Sequence, residues 1–131
     1  MEIKITISVG ELIDKITILK IKKNKIKNLE KIQKVETELK ILQKKAEIIK
    51  KIEKTKYKEL FNKLLRINTD LWEVEDSIRI LELNKEFSDQ FIELARKVYF
   101  LNDERFKIKS EINKTFGSNI QEVKEYIKYT K

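Results

Sequence analysis

Apolar residues recur along this chain at steps of three and four, and that rhythm predicts helices over most of its length. The cleanest run is Leu60, Leu64, Ile67, Leu71, Val74, Ile78 and Leu81, which keeps strict heptad spacing. Another run holds Phe87, Phe91, Leu94, Val98, Leu101, Arg105, Ile108 and Ile112. In it one arginine stands where the pattern asks for leucine. The first helix carries Leu12, Ile16, Leu19 and Ile26 on one face, with Lys23 at the missing step. The rhythm then slips: Leu29, Ile32 and Val35 follow at threes before Leu39, Leu42, Ala46 and Ile49 resume the alternation. Such a slip overwinds a coiled coil or marks a break. Asn24 and Asn28 favour a break, because asparagine prefers caps to helix interiors.

The ends of the elements have their own signals. Ile3-Lys4-Ile5-Thr6-Ile7 alternates apolar and polar residues, which predicts a short strand. It would pair across a dimer or dock extended on the helices. Ser8-Val9-Gly10-Glu11 fits a capping box, in which the serine oxygen takes a free helix N–H and the glutamate reaches back. Asn84-Lys85 reads as a turn, Ser88 as an N-cap and Gly117 as a helix stop. Ser118-Asn119-Ile120-Gln121 reads as a second capping box, opening a short helix with Ile120, Val123 and Ile127. The expected fold class is mainly α: a short N-terminal strand at about residues 3–7, then an antiparallel helical bundle with a coiled-coil hairpin. The helices are expected at about 9–27, 28–53, 57–84, 88–116 and 119–128. At 131 residues the chain suits a single domain with one core.

Composition narrows the chemistry. The chain has no cysteine and no histidine, which excludes disulfides and thiolate metal sites and removes the usual general base. With two glycines, Gly10 and Gly117, no Gly-rich phosphate loop can be written. No cofactor and no metal are expected. No apolar run approaches the roughly 20 residues of a membrane span. The opening Met1-Glu2-Ile3-Lys4 lacks a basic-then-apolar signal pattern, so a cytoplasmic location is expected. Before Arg66 there are 18 lysines against 9 acids; from Arg66 onward 12 basic residues face 13 acids. The lysine-rich half reads first as a solvated helix surface. Basic residues do not interleave with aromatics there, so binding of nucleic acid would rest on charge alone and is not expected.

Two constellations stand out. In the third helix Trp72, Glu75 and Arg79 share a flank beside the core stripe, with Glu75 and Arg79 in the favourable acid-first order. Glu73, Glu75 and Asp76 supply oxygen ligands for a hard cation in principle, but a second acidic pair on a preceding helix is missing, and an ion-pair network is the preferred reading. In the fourth helix Arg105 lies in the stripe, flanked by Asn102 and Lys109. A buried guanidinium stripped of its partner costs roughly 3–5 kcal/mol, so it needs a carboxylate or a bound anion. The candidate partners are Glu75, Asp76 and Asp14. The competing reading is an anion pocket of Arg105, Lys109, Arg79 and Arg96, because arginine forks suit carboxylate and phosphate.

The segment Ile7 to Leu19, ISVGELIDKITIL, resembles the opening signature of a bacterial family known as domain of unknown function 6165. The resemblance continues through Leu71 to Arg79, Phe91 to Tyr99, and Asn102-Asp103-Glu104-Arg105 followed by Lys109 and Asn113. Gly117, Ser118, Glu122, Lys124 and Tyr126 fit its closing pattern. The lysine-rich middle, about residues 41–61, matches only in being helical. The chain departs in lacking a proline before the serine of the opening signature, and in Val123-Lys124-Glu125 near the end. The resemblance implies a small single-domain bacterial protein and assigns no activity. Its motifs fall on Asp14, Trp72, Glu75, Asp76, Arg79, Asn102, Asp103 and Arg105.

The preferred reading is a helical binding or assembly module, expected as a homodimer, with a buried arginine–carboxylate network. The alternative is a small enzyme or binding protein for an anionic metabolite, a phosphorylated or nucleotide-linked sugar. It would clamp the ligand with Arg79, Arg105 and Lys109 and move protons through Asp76 or Asp103. Without histidine or cysteine the balance leans away from an enzyme.

Overall fold

The computed structural model describes residues 1–130. It contains four helices and, among the described residues, no strand: α1 Val9–Lys25, α2 Leu29–Ile52, α3 Lys54–Leu83 and α4 Asp89–Thr115. The break after the first helix falls where the asparagines stand. Asn28 caps α2 by accepting the N–H of Lys31 at 3.0 Å. Between α2 and α3 the chain turns on a single residue, Glu53, whose carboxylate accepts the N–H groups of Thr55 and Lys56. Its cap draws residues 54–56, which the expected helices at about 28–53 and 57–84 leave out, into the first turn of α3.

α1 is the centre of the bundle. Its C-terminal half packs on α2 through Ile16, Leu19, Val35, Leu39 and Ala46. Its N-terminal half packs between α3 and α4 through Ile13, Leu60, Leu64, Ile112 and Phe116. A helix enclosed on both sides buries residues all round rather than on one stripe. Ile13, Asp14, Thr17 and Ile21 are therefore buried as well, outside the single face the sequence suggests. Lys23, read as filling a core step, is exposed and pairs with Glu36 at 3.4 Å. α4 runs antiparallel to both α1 and α3: Lys109 and Arg105 of α4 meet Glu11 and Asp14 of α1, while Lys56, at the start of α3, pairs with Glu111.

Helix lengths set the shape. α3 has 30 residues and α1 has 17, so at 1.5 Å per residue α3 is about 20 Å longer. Lys25, the last residue of α1, pairs with Glu73 at 3.6 Å and marks where α1 stops. Beyond it α3 and α4 continue as a two-helix arm. There Val74, Ile78, Leu94 and Val98 are only half-buried, because no third helix closes their seam. The arm turns at Asn84 and Lys85, and Lys85 adopts φ 55°, the left-handed position that glycine usually fills. No helix among the described residues is long and apolar enough to cross a membrane.

Two expected elements do not form. Residues 1–8 carry no strand, and Ile3 and Ile5 stay exposed. A lone strand has no neighbour for its backbone N–H and C=O groups, so its pattern alone cannot hold it. Residues 118–130 carry no helix either. The Ser118 hydroxyl accepts the N–H of Val9 at 3.1 Å and donates to the Ile120 carbonyl at 2.6 Å. Taken up by the start of α1, it cannot cap a helix of its own. Gly117, at φ 64°, ends α4 instead, with the Ser118 N–H returning to the Asn113 carbonyl at 2.8 Å.

Gly10 marks the closest approach of two helices. A Cβ there would lie 2.6 Å from the Lys109 carbonyl oxygen and 3.0 Å from Asn113 Oδ1. Gly10→Ala should therefore force α1 off α4 and cost about 1–3 kcal/mol, the usual penalty of overpacking. Urea denaturation checks this, and an unchanged midpoint would refute the close-approach account.

Candidate functional site

The site begins at the N-terminus of α1, where the N–H groups of Val9, Gly10 and Glu11 are each met by a side chain. Ser8 Oγ accepts from Glu11, Asn113 Oδ1 from Gly10 at 2.7 Å, and Ser118 Oγ from Val9. Ser8 thus caps the helix, but Glu11 does not close the box. Its carboxylate turns to Lys109 at 2.8 Å, where a buried ammonium draws it away. Once Gly10 sits on α4, antiparallel helix spacing places Glu11 against Lys109 and, one turn on, Asp14 against Arg105.

Asp14 is the buried partner of the misplaced arginine, rather than Glu75 or Asp76. Its side chain is 1% exposed, against 27% for Arg105. Arg105 donates from Nε to Oδ1 at 2.9 Å and from Nη2 to Oδ2 at 2.5 Å, a two-pronged fork. Asn68 of α3 donates to the same Oδ1 at 2.9 Å and to Thr17 Oγ1 at 2.8 Å, while Thr17 donates to the Asp14 carbonyl at 2.7 Å. One carboxylate therefore joins α1, α3 and α4. No buried side-chain nitrogen or oxygen among the described residues lacks a partner. Burial alone would raise the Asp14 pKa, but hydrogen bonds from Arg105 and Asn68 and the nearby positive charges outweigh it and hold the carboxyl below its ordinary range. The Asp14 bond in turn raises Arg105 against the effect of burial. Burial would lower Lys109, yet Glu11 and Glu122 hold it raised.

The fork uses only one edge of the guanidinium. The other edge, toward Nη1, makes a single long contact of 3.4 Å to Asn102 Oδ1. An arginine carries five N–H donors, so donors are left over on this side. Arg105 lines a cleft of about 460 Å³ between α1, α3 and α4. Its apolar lining is Ile18, Ile21, Leu71 and Trp72. Asn68, Asp76, Asn102, Arg105 and the Glu75–Arg79 pair supply the polar part, that pair closing at 2.5 Å.

The chain matches, over residues 3–130, the family described as a family of unknown function, DUF6165. It belongs to that family. No curated protein and no solved structure matches the chain. In this DUF6165 protein several of the segments that carried the resemblance meet in space, while the Phe91–Tyr99 block lies on the arm. The opening signature supplies Ser8, Gly10, Glu11, Asp14 and Thr17; Asn102, Arg105, Lys109 and Asn113 face it from α4; Ser118 and Glu122 close on it from the end of the chain.

Of the candidate residues, Trp72, Glu75, Asp76, Arg79, Asn102 and Arg105 line the cleft. Asp14 lies buried behind Arg105, and Lys109 lies on the far side of Arg105, paired with Glu11 and Glu122. Arg96 stands apart: it pairs with Glu93 at 3.1 Å and lies over the Phe100 ring, outside the cleft lining. Asp103 also lies elsewhere and accepts from the Tyr129 hydroxyl, whose pKa it pushes up to about 12. Glu73 pairs with Lys25, and no acidic group of three among the described residues is arranged to hold a metal ion. Sequence reasoning missed Asn68, Thr17, Glu11 and Glu122. Asn68 carried a usable signal: it follows Leu64 by four and precedes Leu71 by three, so a second helix packed on that flank would bury it.

The exposure difference predicts an asymmetry. Arg105→Ala strands a buried carboxylate and should cost roughly 3–5 kcal/mol. Asp14→Asn leaves an arginine that can reach solvent, and should cost less. Asp14 has a lowered folded pKa against an ordinary value of 3.8, so its contribution is present above about pH 4 and lost as pH falls through the folded value. Denaturation at several pH values should show a shallower acid limb for Asp14→Asn. Equal slopes, or equal costs for the two variants, would reject this account.

Proposed function

We propose that this DUF6165 protein is a binding module, and that the cleft between α1, α3 and α4 receives a small molecule bearing a carboxylate or phosphate. The observation that carries the reading is that Arg105, held on one edge by the Asp14 fork, lines the cleft and has N–H donors to spare on its other edge. The structural lock and the anion grip are thus two edges of one guanidinium. Trp72 offers an apolar face in the same cleft, and Glu75 and Asp76 offer acceptors for hydroxyl groups at the α3 side. A phosphorylated sugar has that distribution of groups. Binding is favoured over catalysis because Asp14 and Arg105 hold each other in their charged forms and neither is suited to proton transfer.

Self-association is a second reading, supported by the tip of the arm. Leu83 is 80% exposed, Phe87 58% and Ile80 57%. A second copy packed on the arm would close its half-open seam as a four-helix bundle. Light scattering on concentrated protein should give a dimer mass that Leu83→Glu reduces, and a strict monomer would end this reading.

Trp72 is the only tryptophan in the chain and lies in the cleft, so its fluorescence reports occupancy directly. Titration with inorganic phosphate, a hexose phosphate and a nucleotide sugar should give a saturable change for at least one. Asn102→Asp places a carboxylate beside the free edge of Arg105 and should weaken that binding by about tenfold or more. No saturable change with any of the three, or an Asn102→Asp variant that binds equally well, would sink the proposal.

A further inference from the structure

Residues 118–130 run back along α4 as a strap without regular structure. Its ties are few. Ser118 accepts from Val9, Glu122 meets Lys109 at 2.8 Å, the Lys124 ammonium lies 5.4 Å from the Phe106 ring, and Tyr129 donates to Asp103. Tyr129 also stacks edge-on against Tyr99 and Phe100. The strap does not dock through its aliphatic side chains: Val123 is 87% exposed and Ile127 91%. Its exposed polar ties each contribute little.

Glu122 occupies an unusual place. The Lys109 side chain is 8% exposed and has two carboxylates at 2.8 Å, Glu11 and Glu122. Glu11 lies on the rigid first turn of α1 and neutralises the ammonium by itself. Glu122 comes from the strap and sits where an external oxyanion would sit. Beside it is a polar cavity of about 120 Å³ lined by Asn102, Arg105, Phe106, Lys109, Glu122 and Lys124. That volume equals about four waters, enough for an orthophosphate. Arg105 and Asn102 line this cavity and the larger cleft alike.

Charge fixes what the cavity can take. Arg105, Lys109 and Lys124 are balanced by Asp14, Glu11 and Glu122. When the strap withdraws, Glu122 and Lys124 leave together; Arg105 and Lys109 keep Asp14 and Glu11, and their remaining N–H donors match phosphate oxygens. We infer that the strap is a gate over an oxyanion site, and that Glu122 is a built-in competitor for that oxyanion at Lys109 and Arg105. The inference rests on the reading of Arg105 as an anion grip. It adds that a phosphate group entering at Arg105 displaces Glu122 and frees the strap.

Inorganic phosphate, compared with chloride at equal ionic strength, is the probe. Calorimetry should show Glu122→Gln binding phosphate roughly two- to fivefold more tightly than the native protein, the worth of one partly exposed ion pair. Phosphate should also speed tryptic cleavage after Lys124 in the native protein. Equal or weaker binding by Glu122→Gln overturns the gate, as does cleavage that phosphate leaves unchanged or slows. If neither protein binds phosphate, the gate as stated fails, and the hexose phosphate and nucleotide sugar titrations decide the anion reading of Arg105 separately. If both bind equally and Asn102→Asp still abolishes binding, the gate alone fails.

Discussion

The fold is organised around one carboxylate that water barely reaches. Burying Asp14 and its arginine is costly, and the mutual attraction of two charges repays that cost only when the geometry is good and the remaining polar atoms are satisfied. Here both conditions hold: the fork from Arg105 is two-pronged, and Asn68 and Thr17 complete the network. A hydrophobic contact tolerates sliding; a fork does not. The pair therefore fixes the register of α4 against α1, and Asn68 fixes α3 to both. Arginine suits this role better than lysine, because its planar fork meets both carboxylate oxygens at once while an ammonium acts as a point charge.

The rest of the architecture follows from where that network sits. It lies midway along α4, at the level where α1 still separates α2 from the α3–α4 pair. On one side of it the core is closed by Ile13, Leu60, Leu64, Ile112 and Phe116. On the other side α1 stops, and the seam between α3 and α4 opens toward solvent. The cleft occupies that transition, with apolar side chains from the fading core and polar ones from the network. A rigid network beside an incompletely covered apolar surface is a physical recipe for a preformed binding site.

Much of the fold was legible in the sequence because helices are specified locally. The heptad run from Leu60 to Leu81, the cap at Ser8, the break at Asn24 and Asn28 and the stop at Gly117 all rest on residues within a turn or two of each other. Local signals also misled. Ile3 to Ile7 has the alternation of a strand and no partner, and Ser118 has the look of a cap while its hydroxyl serves the other end of the chain. In both cases the pattern was sound and a distant group, absent or present, overruled it.

The site divides in the same way. The sequence by itself determined that Arg105 breaks an apolar stripe and must find a negative partner, since the cost of an unpaired buried guanidinium does not depend on the fold. It also placed Trp72, Glu75 and Arg79 on one helix flank, because helical spacing alone does that. Only the tertiary structure decided that the partner is Asp14, 91 residues away, and that Asn68 and Thr17 share it. It alone decided that the second guanidinium edge meets only Asn102, at 3.4 Å, and that Glu122 reaches Lys109 from the strap. Hydrogen bonds act over about 3 Å, and no local pattern specifies which of several acids, on three different helices and a strap, comes within that reach.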